Sequence, residues 1–157
     1  LVYRNTQDLK DFFSCLNIPN SKVVVVNSFY NDETKSEFEQ IAIDNGADMV
    51  IGSHALGVYP IVKYNDKPII YSTGYLMSDL DYNVAKDGFI FKVNISEEMK
   101  ITSLEMTPIY IEQKQRVLLY NEYDKALSDE YLEQFNRWHL ENGLKSTINN
   151  NKIIIEF

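Results

Sequence analysis

Lys22 to Asn27 encloses four consecutive valines, whereas Gly88 to Asn94 sets Phe89, Phe91 and Val93 against Ile90 and Lys92. A short continuous apolar run marks a strand buried on both faces, and alternation marks a strand with one face in water. The chain changes from the first pattern to the second near its middle. Early on, Leu9, Phe12, Phe13 and Leu16 fall at i, i+3, i+4 and i+7 and predict a helix over Thr6–Leu16, broken by Pro19-Asn20. Lys22–Asn27 is then a buried strand. Asn31 or Asp32 caps a second helix over Ser36–Asn45, with Phe38, Ile41 and Ala42 inward and Gly46 just past its end. Met49–Ile51 is a second buried strand. Strand, helix, strand in this order predicts a parallel pair with a right-handed crossover.

After Ile51 the pattern becomes antiparallel. Val58–Tyr64, the turn Asn65-Asp66 and Lys67–Ser72 form a hairpin. Gly88–Asn94 and Ile101–Ile111 are strands joined by a turn at Ser96–Met99. Ser128 is expected to cap a third helix with Tyr131, Leu132, Phe135 and Trp138 inward and Gly143 at its end. Asn149–Asn151 is a turn before a last strand, Lys152–Phe157. The expectation is one α/β domain over residues 1–157, a parallel β-α-β unit followed by antiparallel strands.

Composition narrows what such a domain does. The 157 residues are 45% apolar, enough for one core. A net charge of −8 argues against broad binding to nucleic acid or an anionic membrane, which calls for a basic face. A single cysteine, Cys15, excludes an internal disulfide; among Phe12, Phe13 and Leu16 it reads as a small buried hydrophobe. No apolar run approaches the ~18 residues that span a bilayer. The chain starts at Leu1 with no charged and apolar leader, so it reads as a fragment, with any membrane anchor upstream.

Gly46–Asp79 carries a more specific signal. It contains "GADMVIGSHALG" and then "YNDKPIIYSTGYLMSD", and upstream of it stands "VVVVNSFYNDE". Taken together, these stretches resemble the C-terminal half of CapA-type poly-γ-glutamate capsule biosynthesis proteins. That family has "GADLVIGHHPHV", "YKGKPIFYSLGNFVFD" and "VVVxxHWGxEY" in the same order. Residues 1–115 hold the main resemblance; over residues 116–157 a helix and a closing strand still correspond. The family is placed with the calcineurin-like metallophosphoesterases. The resemblance therefore implies half of a four-layer α/β/β/α sandwich, with metals at strand ends.

Carried over residue by residue, the metal positions of the resemblance are altered. The histidine of HWG falls on Phe29, or on Asn27 or Ser28 with the gap placed differently, and its tryptophan on Tyr30. In the His-Pro-His turn His54 keeps the first histidine, while Ala55 and Leu56 replace the rest. Tyr75 stands for the asparagine of "SLGNF". Phe and Leu have no lone pairs to give, so a binuclear site of the kind that clamps a phosphoryl group loses two ligands. His54 is left as a vestigial metal ligand or as a hydrogen-bonded turn histidine. His139, beside Trp138, reads as structural.

Other residues carry weaker chemistry. Asp79, Asp81 and Asp87 cluster around a loop and suit either a hard cation or plain solvation; the spacing lacks the glycine and glutamate of an EF-hand. Ser72 sits in no nucleophile elbow. Tyr59, Tyr64, Tyr71 and Tyr75 flank the His54 turn as core residues or as an aromatic groove. The expected ligand surface is at the carboxyl ends of the parallel strands, with Asn27, Tyr30, Tyr59 and Tyr75 as binding residues.

Two functions follow. One is a non-catalytic accessory protein of capsule biosynthesis, without cofactor, binding an anionic polymer or a protein of the capsule machinery at the cell surface. The other is a metal-dependent hydrolase or transferase completed by an N-terminal half, which alone would need a divalent metal.

Overall fold

The computed structural model describes residues 25–29, 35–53, 57–74, 86–112 and 116–157, with 25–29, 35–37 and 53 described by their backbone alone. The expected helix over Thr6–Leu16 with Cys15, the caps Asn31 and Asp32, Tyr30, the turn residues His54 to Leu56, Tyr75, Asp79 and Asp81 lie outside the described residues.

The first unit is β1 (Val25–Phe29), α1 (Lys35–Asp44) and β2 (Met49–Ser53). The two strands are parallel neighbours, as the valine run and the helix between them predict. Strand β1 continues to Phe29, two residues past the predicted end, so that Phe29 pairs with Ser53. Helix α1 ends because Gly46 takes φ 103, a conformation cheap only without a Cβ. Gly46 N–H then bonds Ile43 O at 3.1 Å and Ala47 N–H bonds Ala42 O at 3.0 Å. Those are the two bonds of a Schellman cap.

A hairpin follows, β3 (Ile61–Tyr64) and β4 (Lys67–Ile70). Asn65 and Asp66 both have positive φ, 48° and 59°, the geometry a two-residue hairpin turn requires. The pairing breaks at Pro60, which has no N–H to give, and resumes in the same register as a bridge between Val58 and Thr73. Strand β4 returns parallel to β2, so the sheet runs β1-β2-β4-β3.

Strands β5 (Asp87–Ile95) and β6 (Ile101–Glu112) are antiparallel, and β7 (Arg116–Leu119) turns back along β6. Three short elements were not read from the sequence: β7, α2 (Tyr120–Tyr123) and a strand over Lys145–Asn149. Helix α3 (Lys125–Glu141) is followed by β8 (Lys145–Asn149) and β9 (Lys152–Glu156), giving a second sheet of order β5-β6-β9-β8. One edge of β6 serves two partners: β9 along Ser103–Met106 and β7 along Ile109–Glu112. Pro108 stands in the gap between them, where neither partner needs an N–H.

The cap of α3 is not Ser128. Asp124, four residues ahead of the expected cap, accepts a hydrogen bond from Leu127 N–H at 3.0 Å and caps a helix that starts at Lys125. Ser128 is buried inside the helix. A carboxylate at this position satisfies an orphan N–H and also favours the positive end of the helix. The expected inward face holds, with Leu132 and Phe135 buried and Tyr131 and Trp138 packed against the same core.

The first sheet is covered on both faces, which explains its unbroken apolar runs. Ile41, Ala42, Ile43 and Ala47 pack on Val50 and Ile69. On the other face Met49, Ile61 and Ile70 join Phe89, Leu104, Met106, Leu132, Phe135, Ile153 and Ile155 in one core. Both sheets and α3 therefore share a single apolar interior. The opposite side of β5-β6-β9 is polar: Glu105 is held between Lys92 (2.6 Å) and Lys152 (3.1 Å). These hydrogen bonds, Lys92 first and Asn94 next, bring its carboxyl down to about 2.

Candidate functional site

The carboxyl ends of the parallel strands are set by register. Asn27 pairs with Ile51, Ser28 with Gly52, and Phe29 with Ser53. Phe29 is therefore the last described residue of β1 and lies directly beside the residue that leads into His54. Of the expected binding residues, Asn27 stands two positions back from that end. Tyr59 is 39% exposed on the segment returning toward β3. Tyr30, Tyr75 and His54 are among the residues not described.

What the structure explains is the base on which this turn stands. Gly52 has no room for a side chain, because a Cβ there would meet the carbonyl oxygen of Tyr71 at 2.0 Å. Next to Tyr71, Ser72 is buried and its Oγ accepts from the N–H of Gly74 at 3.2 Å. Ser72 therefore closes a local turn and is not placed as a nucleophile. Gly74 has φ 70, and a Cβ on it would meet Val58 Cγ2 at 2.7 Å and Asp87 O at 3.0 Å. The bridge from Gly74 to Gly88 then joins this end of the hairpin to β5.

Lys67 ties the remaining pieces together. Its ammonium donates to Ala47 O at 2.7 Å and pairs with Asp48 at 3.3 Å. The lysine of "KPII" thus holds the alanine and aspartate of "GAD", across the start of β2. The residues with a visible role in these stretches build the scaffold: Gly46 ends α1, Lys67 and Asp48 fix the strand start, Gly52 and Gly74 allow close backbone approach, and Ser72 closes a turn.

The aromatic residues divide differently from a groove. Tyr64 and Tyr71 pack against the α1 core, and Tyr64 donates to Asp44 at 3.2 Å. A buried carboxylate that the apolar pattern did not single out, Glu39, is 3% exposed on α1, at the i−3 position to Ala42. Burial first, and the charge of Glu39 second, raise the Tyr71 hydroxyl above its ordinary range.

A second cluster was missed because its members are far apart in sequence. Tyr110 and Tyr123 stack with centroids 3.7 Å apart, and Tyr120 packs at 5.6 Å from Tyr110 and 5.4 Å from Tyr131. Asp87, in register with Tyr110, lies within this group. Burial raises its carboxyl, while a hydrogen bond from the Tyr120 hydroxyl and the charge of Lys86 act the other way. Tyr120 and Tyr131 are in turn pushed far up, by burial and then by the charge of Asp87. The only sequence signal was the density of tyrosine after residue 109. Asp87 thus belongs to a half-buried tyrosine cluster; Asp79 and Asp81, its expected companions, are not described.

The position that β1 brings beside Ser53 is Phe29, and the second position of the turn is Leu56, neither of which can coordinate. Among the described residues no three His, Cys, Asp or Glu side chains come together around a common point.

Comparison with known proteins agrees with the order of these stretches. Residues 23–80 match the family model of the bacterial capsule synthesis protein PGA_cap. No curated protein matches the chain. The matched segment runs from the valines of β1 through the hairpin and past the Gly74 turn.

Proposed function

Taking residues 23–80 as a segment of a CapA-type capsule synthesis protein, we propose that this chain serves capsule biosynthesis by binding and not by metal-dependent catalysis. One observation carries the reading. On the end of β1, where the resemblance sets a histidine, stand Asn27, Ser28 and Phe29, the last in register with Ser53 beside the His54 turn. The surface at these strand ends gains more from apolar and stacking contacts than from an ion, with Tyr30, Tyr59 and Tyr75 as its aromatic residues and Asn27 behind them. In this reading the two sheets correspond to half of a four-layer α/β/β/α sandwich. The protein acts outside the cytoplasm or at the cell surface, as the resemblance implies.

The partner follows from charge. A net charge of −8 opposes direct contact with a polyanion such as poly-γ-glutamate, except where local groups or bridging cations offset it. A protein of the capsule machinery therefore fits better than the polymer itself. Titration of the chain with poly-γ-glutamate, and with the capsule-machinery proteins of the same organism, tests both. Tyr30→Ala and Tyr75→Ala should weaken the interaction at least tenfold with melting temperature little changed. Unchanged binding in both folded variants would refute the strand-end surface. Hydrolysis of a phosphoester that requires added Mn²⁺ and His54 would instead favour the metallophosphoesterase reading.

A further inference from the structure

Among the described residues, a polar contact joins helix α3 to the first sheet in an otherwise apolar interior. The N–H of Ile61, the first residue of β3, donates to Nε2 of His139 near the end of α3 at 3.1 Å. Both residues are fully buried. An N–H inside such a core must find an acceptor, and from a helix face the neutral imidazole supplies one. Accepting at Nε2 places the ring's proton on Nδ1, which has no hydrogen-bond partner. Protonation adds an N–H at Nε2 and turns it toward the Ile61 N–H, donor against donor. It also leaves a charge among Phe135, Leu132 and Ile61.

We propose that His139 is an acid-sensitive latch, whose protonation releases the start of β3 from α3 and loosens the hold of the second sheet and its helix on the first. The charged groups around it do not counter this. Lys63 and Asp66 of the hairpin, Arg137 and Glu141 of α3 and Lys145 of β8 are exposed, and Lys67 is occupied by Ala47 and Asp48. Burial alone lowers the imidazole, to about 4. The latch is therefore closed near neutral pH. The opened state titrates at the ordinary 6.5, so opening becomes easier as pH falls from 6.5 toward 4.

This inference is independent of capsule binding. Its test is amide exchange at Ile61 alongside the imidazole resonances of His139, recorded from pH 7 to pH 4. With only two histidines the assignment is direct. After correction for intrinsic exchange, the opening constant at Ile61 should rise about tenfold per pH unit across that window and exceed that at Leu104 in β6 at every pH. His139→Gln, which offers an acceptor that does not titrate there, should give a flat profile at Ile61. A flat wild-type profile would overturn the latch. So would equal opening constants at Ile61 and Leu104, which mean that β3 is released only by global unfolding. If His139→Gln does not fold, the contrast between Ile61 and Leu104 in the wild type decides.

Discussion

Single residues in the stretches that carry the capsule-synthesis resemblance work mainly on backbone. Lys67 reaches back to Ala47 O and Asp48, and Ser72 closes on Gly74 N–H. Gly52 is the sharpest case, since a methyl there would sit 2.0 Å from a carbonyl oxygen on the neighbouring strand. Neither β2 nor β4 can yield, because each is paired on its far side as well. Gly52→Ala should therefore destabilise the fold by about 3 kcal/mol or more, read as a lower midpoint in urea. A midpoint unchanged within error would mean that the strands separate here at little cost.

Elements were legible where periodicity and termination agreed. The valine run, the inward positions of α1 and Gly46 together define a β-α-β unit, and the parallel register follows. Gly143 ends α3 in the same way, with Leu144 N–H on His139 O and Gly143 N–H on Leu140 O. Strand β8 was not legible, because as an edge strand it buries only Ser146, and "KSTIN" has no apolar face. The start of α3 was misread for a related reason: serine and aspartate are both good caps, and only the bond to Leu127 N–H distinguishes them. Of the site, sequence order was legible but assembly was not. Nothing local shows that Tyr64 and Tyr71 turn to α1, or that Tyr110, Tyr120 and Tyr123 gather around Asp87. Met99, in the β5–β6 turn, gives an element-scale test. It is exposed with φ 61, where a Cβ is strained. Met99→Gly should stabilise the protein by about 0.5–1 kcal/mol, seen as a higher melting temperature. A lower one would show that the methionine side chain packs in a way that outweighs the strain.

At the scale of the whole molecule, one apolar interior joins two sheets and α3, and His139 is a fully buried titrating side chain within it. A group whose folded value lies below its unfolded one contributes its full stability above the unfolded value. That contribution is then lost as pH falls through the window from 6.5 to about 4. Glu105 has the same sign at a lower pH, its lysine partners being lost only as pH falls toward about 2. Acid should thus loosen the joint between the sheets before it dissolves the polar face. Neutral pH is accordingly where the strand-end surface is best tested. Isothermal titration of the chain with Zn²⁺ and Mn²⁺ at pH 7, with elemental analysis of the purified protein, bears most directly on the claim that this surface binds without a metal. With Phe29 and Leu56 at ligand positions, affinity should be no tighter than ~10⁻⁴ M, and His54→Ala should hardly change it. A stoichiometric metal that resists dialysis and is lost with His54→Ala would contradict the account.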